Sequence, residues 1–505
     1  MSARSGPRSL WKNHAVGTAP ATAEGTSMET ITTWLDSFNG QIYSWILIPV
    51  LLAAGLWFTV RTRGMQFRHF GRMLSVLKVS RKSADSDGGI SSFQAFAIGL
   101  ASRVGTGNIA GVAIAITLGG PGAVFWMWIV ALLGMATAFI EATLAQVFKM
   151  PWGDGTFRGG PAFYIWRGLK SWKWGAAFAV ILLFTYGIAF QMVQANTIAN
   201  TVEATYGVNT WITAIVVALL TGAAIIGGIK SVAKVAEWMA PAMALVYIVV
   251  ALIIIALNID QIGFVFSEIF QSAFGLNEAF AGTAGGITAA IMNGVKRGLY
   301  SNEAGMGSAP NAASTATTIH PVRQGLIQSF GVFVDTMIVC SATAFIVLSS
   351  GVYTPGQDLE GATLTQSGVV AALGDWMAPV MVLLISVFAF STLIGNYAYA
   401  EVNLDYLTKD RAGSDLVLKI IVVIATFVGG IAKLSFVWVL ADTSMFFMAI
   451  INLVAIVLLG KWAMGALRDF EANPDGAFIA AGNHHLPAEL ETEIWVKDPP
   501  KAAVS

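Results

Sequence analysis

Residues 102–111 read Ser-Arg-Val-Gly-Thr-Gly-Asn-Ile-Ala-Gly, in the middle of a hydrophobic stretch that runs from Ile90 to Leu118. The stretch is long enough to cross a bilayer, which takes about 20 apolar residues. Glycines, an arginine and an asparagine belong at membrane depth only where an irregular backbone lines a cavity inside the protein. The sequence therefore predicts a broken membrane helix here, and the break is the first candidate for a substrate site.

Around this stretch, the composition is that of a multi-pass membrane protein. Of the 505 residues, 56% are hydrophobic and only 11% are charged, whereas soluble domains carry about 25% charged residues. The formal net charge is zero, so no basic surface indicates a nucleic-acid partner. Cys340 is the single cysteine, which excludes a disulfide framework and a cysteine metal site.

Eleven membrane spans are predicted from apolar runs of about 20 residues. They cover residues 40–60, 91–118, 122–148, 175–204, 210–228, 237–257, 276–298, 325–349, 376–402, 415–433 and 436–460. Residues 1–39 lack the apolar region of a cleaved signal peptide and are predicted to be a flexible tail. Residues 461–505 are predicted to be a polar C-terminal tail in the cytoplasm.

The loops between these spans predict the orientation, because Lys and Arg collect on the cytoplasmic side. Every second loop is basic, beginning with the loop after the first span, and a later basic loop holds Lys296, Arg297 and Arg323. The loops at 119–121, 205–209, 258–275 and 350–375 contain neither Lys nor Arg. We therefore predict a protein of the inner (plasma) membrane with its N-terminus outside and its C-terminus in the cytoplasm. Three basic residues in the N-terminal tail count against this orientation.

The spans divide into one extra N-terminal helix, 40–60, and two five-helix repeats, 91–257 and 276–460. The first repeat enters from the cytoplasm and the second from outside, which is the inverted arrangement of many secondary transporters. The predicted fold class is an all-α polytopic membrane protein whose two repeats each begin with a discontinuous helix. The breaks are predicted at Gly105–Gly107 and at 281–286, Ala-Gly-Thr-Ala-Gly-Gly, although glycines also permit close helix packing.

A second copy of the opening motif occurs later in the chain. Arg103-x4-Asn108-Ile-Ala-Gly is matched by Arg297-x4-Asn302-Glu-Ala-Gly. The second copy is predicted at the cytoplasmic end of its span, so it does not match the first copy in depth. We interpret the similarity as chance or distant ancestry.

A broken helix offers ligands of both signs, because its free N–H groups attract an anion and its free carbonyls attract a cation. An amino acid with a nearby sodium ion would satisfy both ends. Ser391 and Thr392, deep in the ninth span, offer hydroxyl oxygens for such an ion; the alternative is back-bonding to their own helix. Asp335 is costly inside a span and is a functional candidate by default, with Arg103 as a candidate partner.

The sequence gives less support to other polar residues as parts of a site, and to functions other than sodium-coupled transport. Glu141 and Glu401 are predicted near inner helix ends, where water would solvate them. His69 and His320 fall in predicted loops, which gives little support to a proton relay. The spans lack the polar stripes of a channel and the clustered ligands of an enzyme. An ion channel or a proton-coupled amino-acid transporter remains the alternative to a sodium-coupled transporter, and an enzyme is not expected.

Several blocks of sequence resemble the alanine or glycine:cation symporter (sodium:alanine symporter) family. They are Val104-Gly-Thr-Gly-Asn-Ile-Ala-Gly-Val-Ala113, Gly119-Gly-Pro-Gly-Ala-Val-Phe-Trp-Met-Trp128, Gly159-Gly-Pro161, Gln194-Ala-Asn196, Arg297-Gly-Leu-Tyr-Ser-Asn-Glu-Ala-Gly-Met-Gly-Ser-Ala-Pro310 and Asp335-Thr336. The resemblance covers residues 40–460 and implies a leucine-transporter-type fold in the lipid bilayer. It implies sodium-coupled uptake of a small neutral amino acid, with no organic cofactor, no nucleic acid and no obligate protein partner.

The resemblance also implies which residues form the site. The implied substrate contacts are Gly105, Thr106, Gly107, Asn108, Gln194, Gly282, Gly285, Gly286, Thr392 and Asn396. The implied sodium ligands are the carbonyls of Ala101 and Val104 with the hydroxyls of Ser391 and Thr392.

This chain departs from the family pattern at one position. Asn396 stands where the family usually has a tryptophan that helps to wall the pocket. A smaller polar side chain would enlarge the pocket and add hydrogen-bonding capacity. A substrate larger or more polar than alanine, such as serine or glutamine, becomes plausible.

The expected cycle is alternating access, with sodium binding first.

Overall fold

The computed structural model describes residues 23–80, 90–153, 155–276, 284–356, 361–409 and 411–497. Over these residues the chain is almost entirely helical. The α-helices are Ala23–Ile42, Ile48–Arg61, Met65–Arg68, Phe70–Ser80, Ser92–Arg103, Val112–Gly119, Gly122–Val147, Pro161–Gly168, Trp172–Phe184, Phe190–Tyr206, Thr210–Ile225, Gly228–Leu257, Ile262–Ala273, Ala284–Asn302, Ala309–Thr315, Pro321–Val332, Ser341–Ser349, Ala362–Leu373, Met377–Thr408, Ser414–Ile431 and Leu434–Ala472.

Short irregular elements join some of these helices. Wider π-helical turns occur at Tyr43–Leu47, Gly107–Gly111, Thr185–Ala189 and Phe333–Cys340, and a 3₁₀ turn at Ile259–Gln261. Two pairs of two-residue strands are present: Ile90–Ser91 runs parallel to Ala316–Thr317, and Met150–Pro151 runs antiparallel to Phe157–Arg158. The predicted all-α class thus describes the fold apart from these small strand pairs.

The described helices make the chain a multi-pass membrane protein. Eight of them are long and apolar enough to cross a membrane, and a ninth span results if the bent pair Ser92–Arg103 and Gly107–Gly119 is counted as one. Thr210–Ile225 is apolar but shorter. Ala284–Asn302, at another predicted span, is not among the eight. Eleven spans and the two inverted repeats therefore stay predictions.

The first predicted break lies where the sequence places it. Ser91 begins the helix with a capping box, in which its hydroxyl accepts from the Gln94 N–H and Gln94 accepts from the Ser91 N–H. The helix ends at Arg103 and a new one starts at Gly107, with a bend of 47° between them. We call this pair the first broken helix.

The part of the second predicted break that the structure describes, residues 284–286, is helical. Residues 277–283 are outside the described part of the chain, but from Ala284 the helix continues without interruption to Asn302. Glu303, Gly305 and Gly307 then adopt positive φ angles of 58°, 89° and 80°, conformations that glycine tolerates and other residues rarely adopt. A short helix resumes at Ala309. We call Ala284–Asn302 and Ala309–Thr315 the second broken helix.

This result reverses the interpretation of the repeated motif. The two copies, which begin at Arg103 and Arg297, both stand at a break of their helix. The error came from placing the span at 276–298, which put Asn302 at a membrane surface. The helix extends to Asn302, beyond the predicted end of the span, and the residues with positive φ angles follow it.

Lys296 and Arg297 are likewise not loop residues. Both lie within helix Ala284–Asn302, and their side chains are only 7% and 5% exposed. Arg297 Nη2 lies 2.5 Å from Asp442 Oδ2 and Lys296 Nζ lies 3.9 Å from the same atom. These two cations therefore pair with a buried carboxylate on the last helix. They do not lie in a loop and cannot be used to assign the cytoplasmic side of the protein.

Both predicted tails are shorter than expected. The N-terminal segment is helical from Ala23, and its Asn39 amide donates to the Val439 carbonyl at 3.0 Å, which attaches this helix to the last one. That last helix continues to Ala472, beyond the predicted end of its span at 460. Residues 473–497 lack regular structure but pack against the protein, and Phe478 and Trp495 are buried.

The buried pair between Arg297 and Asp442 yields a stability prediction. Asp442→Ala leaves two cations buried without their carboxylate, which costs about 3–5 kcal/mol. We expect a large drop in the melting temperature of the purified protein. Lys433→Ala is the control, because its ion pair with Glu29 is exposed and such pairs contribute little. Equal melting temperatures for the two variants would contradict this account.

Candidate substrate and ion site

The breaks of the two broken helices lie against each other. A Cβ added at Gly107 would lie 2.9 Å from Tyr300 Cδ1 and 3.2 Å from Ser301 Cα. Only a residue without a side chain permits such a close approach of two backbones. The absence of a side chain at Gly107 thus brings the break of the first helix to the last turn of Ala284–Asn302.

Asn108 connects three helices at this point. Its Oδ1 accepts from the Gly105 N–H at 2.9 Å, a group that the helix break leaves without a helical partner. Its Nδ2 donates to Ser301 Oγ at 3.0 Å and to Asp335 Oδ1 at 2.7 Å. One amide therefore satisfies the broken backbone and joins it to the second broken helix and to the helix that carries Asp335.

Gln194 makes a parallel connection from the helix Phe190–Tyr206. Its Oε1 accepts from the Thr106 N–H at 3.2 Å and from the Thr106 hydroxyl. Its Nε2 donates to the Tyr300 hydroxyl at 3.1 Å. The structure thus brings together all five predicted contacts at positions 105–108 and 194.

The predicted sodium ligands also converge. Thr392 Oγ1 and Ser391 Oγ lie 2.9 and 3.3 Å from the Ala101 carbonyl oxygen, at the end of the first helix segment. Val104, the other predicted carbonyl donor, lies at the break and is buried. Both hydroxyls also donate to the Phe388 carbonyl of their own helix, Ser391 Oγ at 2.7 Å and Thr392 Oγ1 at 3.3 Å. Back-bonding and an ion site therefore share the same oxygen atoms.

Asn396 lies one helical turn from Thr392, beside the same broken helix. Ser102 Oγ lies 3.0 Å from Asn396 Oδ1 and 3.0 Å from Glu303 Oε1. Asn396 is fully buried, and its Nδ2 has no hydrogen-bond partner among the described residues. A buried donor without a partner costs about 1–3 kcal/mol. A ligand that accepted a hydrogen bond from this amide would therefore be stabilised.

Two of the predicted glycines lie far from this site, and one cannot be placed. Gly282 is outside the described residues. Gly285 and Gly286 form the first turn of Ala284–Asn302, about 24 Å of helix before Ser301 at 1.5 Å per residue. Tyr300 and Ser301 are the residues of this helix that lie against Gly107 and Asn108. The repeated Arg-x4-Asn motif was the signal that could have identified them.

Buried carboxylates surround the site. Asp335, Glu303 and Glu141 are at most 1% exposed, and Asp335 accepts from the Ser301 and Thr336 hydroxyls at 2.7 and 2.8 Å. Glu141 accepts from the Gly305 N–H at 3.1 Å, so the expectation that water solvates it is wrong. Carboxylates at membrane depth are stable when a cation or proton accompanies them.

Arg103 is the expected cation, but it is not bonded to Asp335. Its side chain is 2% exposed and therefore does not reach water. Nη1 donates to the Gln328 carbonyl at 3.3 Å, while Nε and Nη2 have no hydrogen-bond partner in the described part of the chain. One guanidinium can neutralise one carboxylate, so a proton or a further cation must accompany the other two.

On the opposite side, aromatic residues cover the site. The rings of Tyr300 and Trp438 lie 4.8 Å apart, and the Arg297 guanidinium lies 4.4 Å from the Trp438 ring centre. Tyr300 and Trp438 are 4% and 6% exposed. Sequence reasoning missed this cover, because Arg297 was placed in a loop. The site is therefore closed to solvent in this structure.

Broken membrane helices that meet around polar groups are typical of secondary transporters. A sequence model of the sodium:alanine symporter family matches residues 28–477. The chain belongs to this family, whose members are symporters and not enzymes. The resemblance seen in the sequence motifs is thus confirmed.

Relatives in other organisms carry more specific names. The chain is 47% identical over 433 residues to a probable sodium/glutamine symporter GlnT of Bacillus subtilis, covering 86% of this chain and 89% of that protein. It is 39% identical over 447 residues to the sodium/alanine symporter AgcS of Methanococcus maripaludis, covering 86% and 96%. The names of these two relatives thus refer to two different amino acids, glutamine and alanine.

Solved structures support the fold. The transporter MhsT, crystallised with L-phenylalanine, matches with a TM-score of 0.52 and 13% identity, over 72% of this chain and 87% of that chain. At this identity the likeness concerns the fold alone. It agrees with the leucine-transporter-type fold that the motifs implied.

Gly105→Ala tests the geometry of the break. The new Cβ would lie 2.0 Å from Thr392 Oγ1, so the broken helix must move away from Met377–Thr408. We expect at least about a tenfold loss of amino-acid affinity, equal to 1.4 kcal/mol, measured by equilibrium binding in sodium. Gly40→Ala is the control, because nothing lies within 4 Å of its added Cβ. Unchanged affinity of Gly105→Ala would show that the break does not form the site.

Proposed function

We propose that this protein imports a small neutral amino acid together with sodium across the inner membrane. The observation that carries the proposal is the meeting of the two helix breaks beside the Ala101 carbonyl, Ser391 and Thr392. Anionic and cationic ligands can bind there side by side. Family membership supports a sodium symporter of amino acids.

The substrate carboxylate would bind where two side-chain amides now stand. Asn108 Oδ1 accepts from the Gly105 N–H, and Gln194 Oε1 accepts from the Thr106 N–H. These amide oxygens occupy the positions that carboxylate oxygens would take at the start of a helix, where the helix dipole favours negative charge. On binding, the carboxylate replaces them and the two amides turn toward the rest of the substrate.

The sodium ion would bind to the Ala101 and Val104 carbonyls and to the hydroxyls of Ser391 and Thr392. Hydroxyl and carbonyl oxygens suit a hard cation. The ion would take the place of the hydrogen bonds that these hydroxyls make to Ala101. It would thereby fix helix Met377–Thr408 against the first broken helix, so sodium prepares the site for the amino acid.

The substrate includes an amino acid with a polar side chain, of which glutamine is the example that fits best. Asn396 supplies a buried Nδ2 with no partner among the described residues, a donor for a side-chain carbonyl. One relative, 47% identical, is named a probable sodium/glutamine symporter. Serine and alanine would bind without using this donor.

Transport follows alternating access between the two faces of the membrane. Sodium binds first, the amino acid bridges the two broken helices, and the site then opens to the cytoplasm. The N-terminus lies outside and the C-terminus inside. The membrane potential adds about 2.3 kcal/mol per charge at 100 mV.

Uptake of radiolabelled glutamine and alanine into proteoliposomes tests the coupling. An inward sodium gradient should drive accumulation, and the same gradient of potassium should not. Uptake driven by a proton gradient without sodium would favour the proton-coupled alternative. Uptake that is indifferent to every cation gradient would contradict symport.

Ser391→Ala tests the sodium ligands. Loss of a ligand to a charged group costs about 1.5–3 kcal/mol, so the sodium concentration for half-maximal uptake should rise about tenfold or more. Thr426→Ala is the matched control, because its buried hydroxyl donates to the Val422 carbonyl of its own helix. If both variants need the same sodium concentration as the parent, the ion does not bind at Ser391.

Asn396→Trp and Asn396→Ala test the substrate proposal together. The tryptophan should exclude long side chains, so glutamine should compete less well against labelled alanine while serine still competes. The alanine variant keeps the space but removes the amide, and it should weaken glutamine selectively by about tenfold, as expected for one lost hydrogen bond to a buried donor. Identical competition profiles in all three proteins would place the substrate side chain elsewhere.

A further inference from the structure

The chain after the last helix is bound to the protein at several separate points. We call residues 473–497 the C-terminal strap. Within it Phe478 and Trp495 are 2% and 3% exposed, and their rings lie 5.5 Å apart. The Ala480 N–H donates to the Trp495 carbonyl at 2.8 Å and closes the strap into a loop. Burial and internal hydrogen bonds thus give the strap a defined shape.

Two anchors attach the strap to parts of the chain that are far apart in sequence. The Phe478 N–H donates to the Ile319 carbonyl at 2.9 Å, just after the second broken helix. The Trp495 indole N–H donates to the Gln146 carbonyl at 3.0 Å, at the end of helix Gly122–Val147. The strap therefore joins the end of the second broken helix to another helix end.

Two further anchors complete the connection. Arg167, at the end of Pro161–Gly168, donates to the Glu491 carbonyl at 2.5 Å. The Asn483 amide donates to Asp469 Oδ1 at 2.9 Å, on the last helix. Four different segments at this end of the molecule are thus held by one stretch of chain.

Lys149 is buried beneath the strap, next to Trp495. Its Nζ donates to the Ala316 carbonyl at 2.8 Å and lies 4.0 and 5.0 Å from the ring centres of Phe157 and Trp495. Burial lowers the pKa of Lys149 well below its usual value. The ring of Trp495 is therefore part of the cover that keeps this amine away from water.

We propose that the C-terminal strap is a latch, which holds the predicted cytoplasmic ends of these segments together and detaches when that face opens. The inference rests on the proposed alternating access, because opening must separate the broken helices from their neighbours. The family match ends at residue 477. The strap is therefore almost entirely outside the sequence on which the family assignment depends.

Two truncated chains test the latch. One ends at Asn473 and lacks the strap, and the control ends at Lys497 and keeps every contact described above. In hydrogen–deuterium exchange, amides of residues 92–103 and 309–320 should exchange about tenfold faster without the strap, a change equal to about 1.4 kcal/mol of closed-state stabilisation. Equal exchange in the two chains would overturn the proposal.

Trp495→Ala in the full chain is the second test, in case the shorter chain fails to fold. It removes one anchor and the ring over Lys149, and should accelerate exchange of the same amides. Lys497→Ala is its control, since that side chain is exposed. The initial rate of sodium-driven uptake should change in Trp495→Ala and not in the control. If no variant and no parent transports, symport fails, while the exchange data still decide whether the latch exists.

Discussion

The amide of Asn108 holds the centre of this transporter together. A helix break inside a membrane leaves backbone N–H groups without partners, and lipid supplies none. Asn108 accepts from Gly105 and donates to Ser301 and Asp335. Because one side chain satisfies the broken backbone and fixes two further helices, the positions of the other site residues follow from it. Gln194 repeats the same solution at Thr106.

The same amides explain how a closed, substrate-free site remains stable. Their oxygens satisfy the N–H groups that a substrate carboxylate would otherwise bind. The exchange of an amide for a carboxylate leaves no buried donor unpaired at either stage. Asp335, Glu303 and Glu141 outnumber Arg103, so a proton or a further cation must accompany the remaining carboxylates. A cation that enters with the substrate, as we propose, would fill that role.

At one end of the molecule, closure depends on contacts outside the membrane helices. The strap gathers four segments through backbone hydrogen bonds and two buried aromatic rings, Phe478 and Trp495. At the other end, Arg297 and Trp438 cover the site, and Asp442 neutralises the buried cation. The two ends are thus closed by different interactions, an ion pair beside two tilted aromatic rings at one end and the C-terminal strap at the other.

The sequence by itself determined the membrane class and a helix break around Gly105–Gly107, because glycines and an amide in an apolar run have few other uses; the grouping of Asn108 with Gln194 came from the family resemblance. It did not identify the interruption after Asn302, since the glycines at 281–286 favoured a break near the start of that span. Only the tertiary structure decided that Lys296 and Arg297 are buried, because their cost is offset by Asp442, which lies 146 and 145 positions away in the chain. Pairing across such a distance is a property of the folded chain, and no local pattern encodes it.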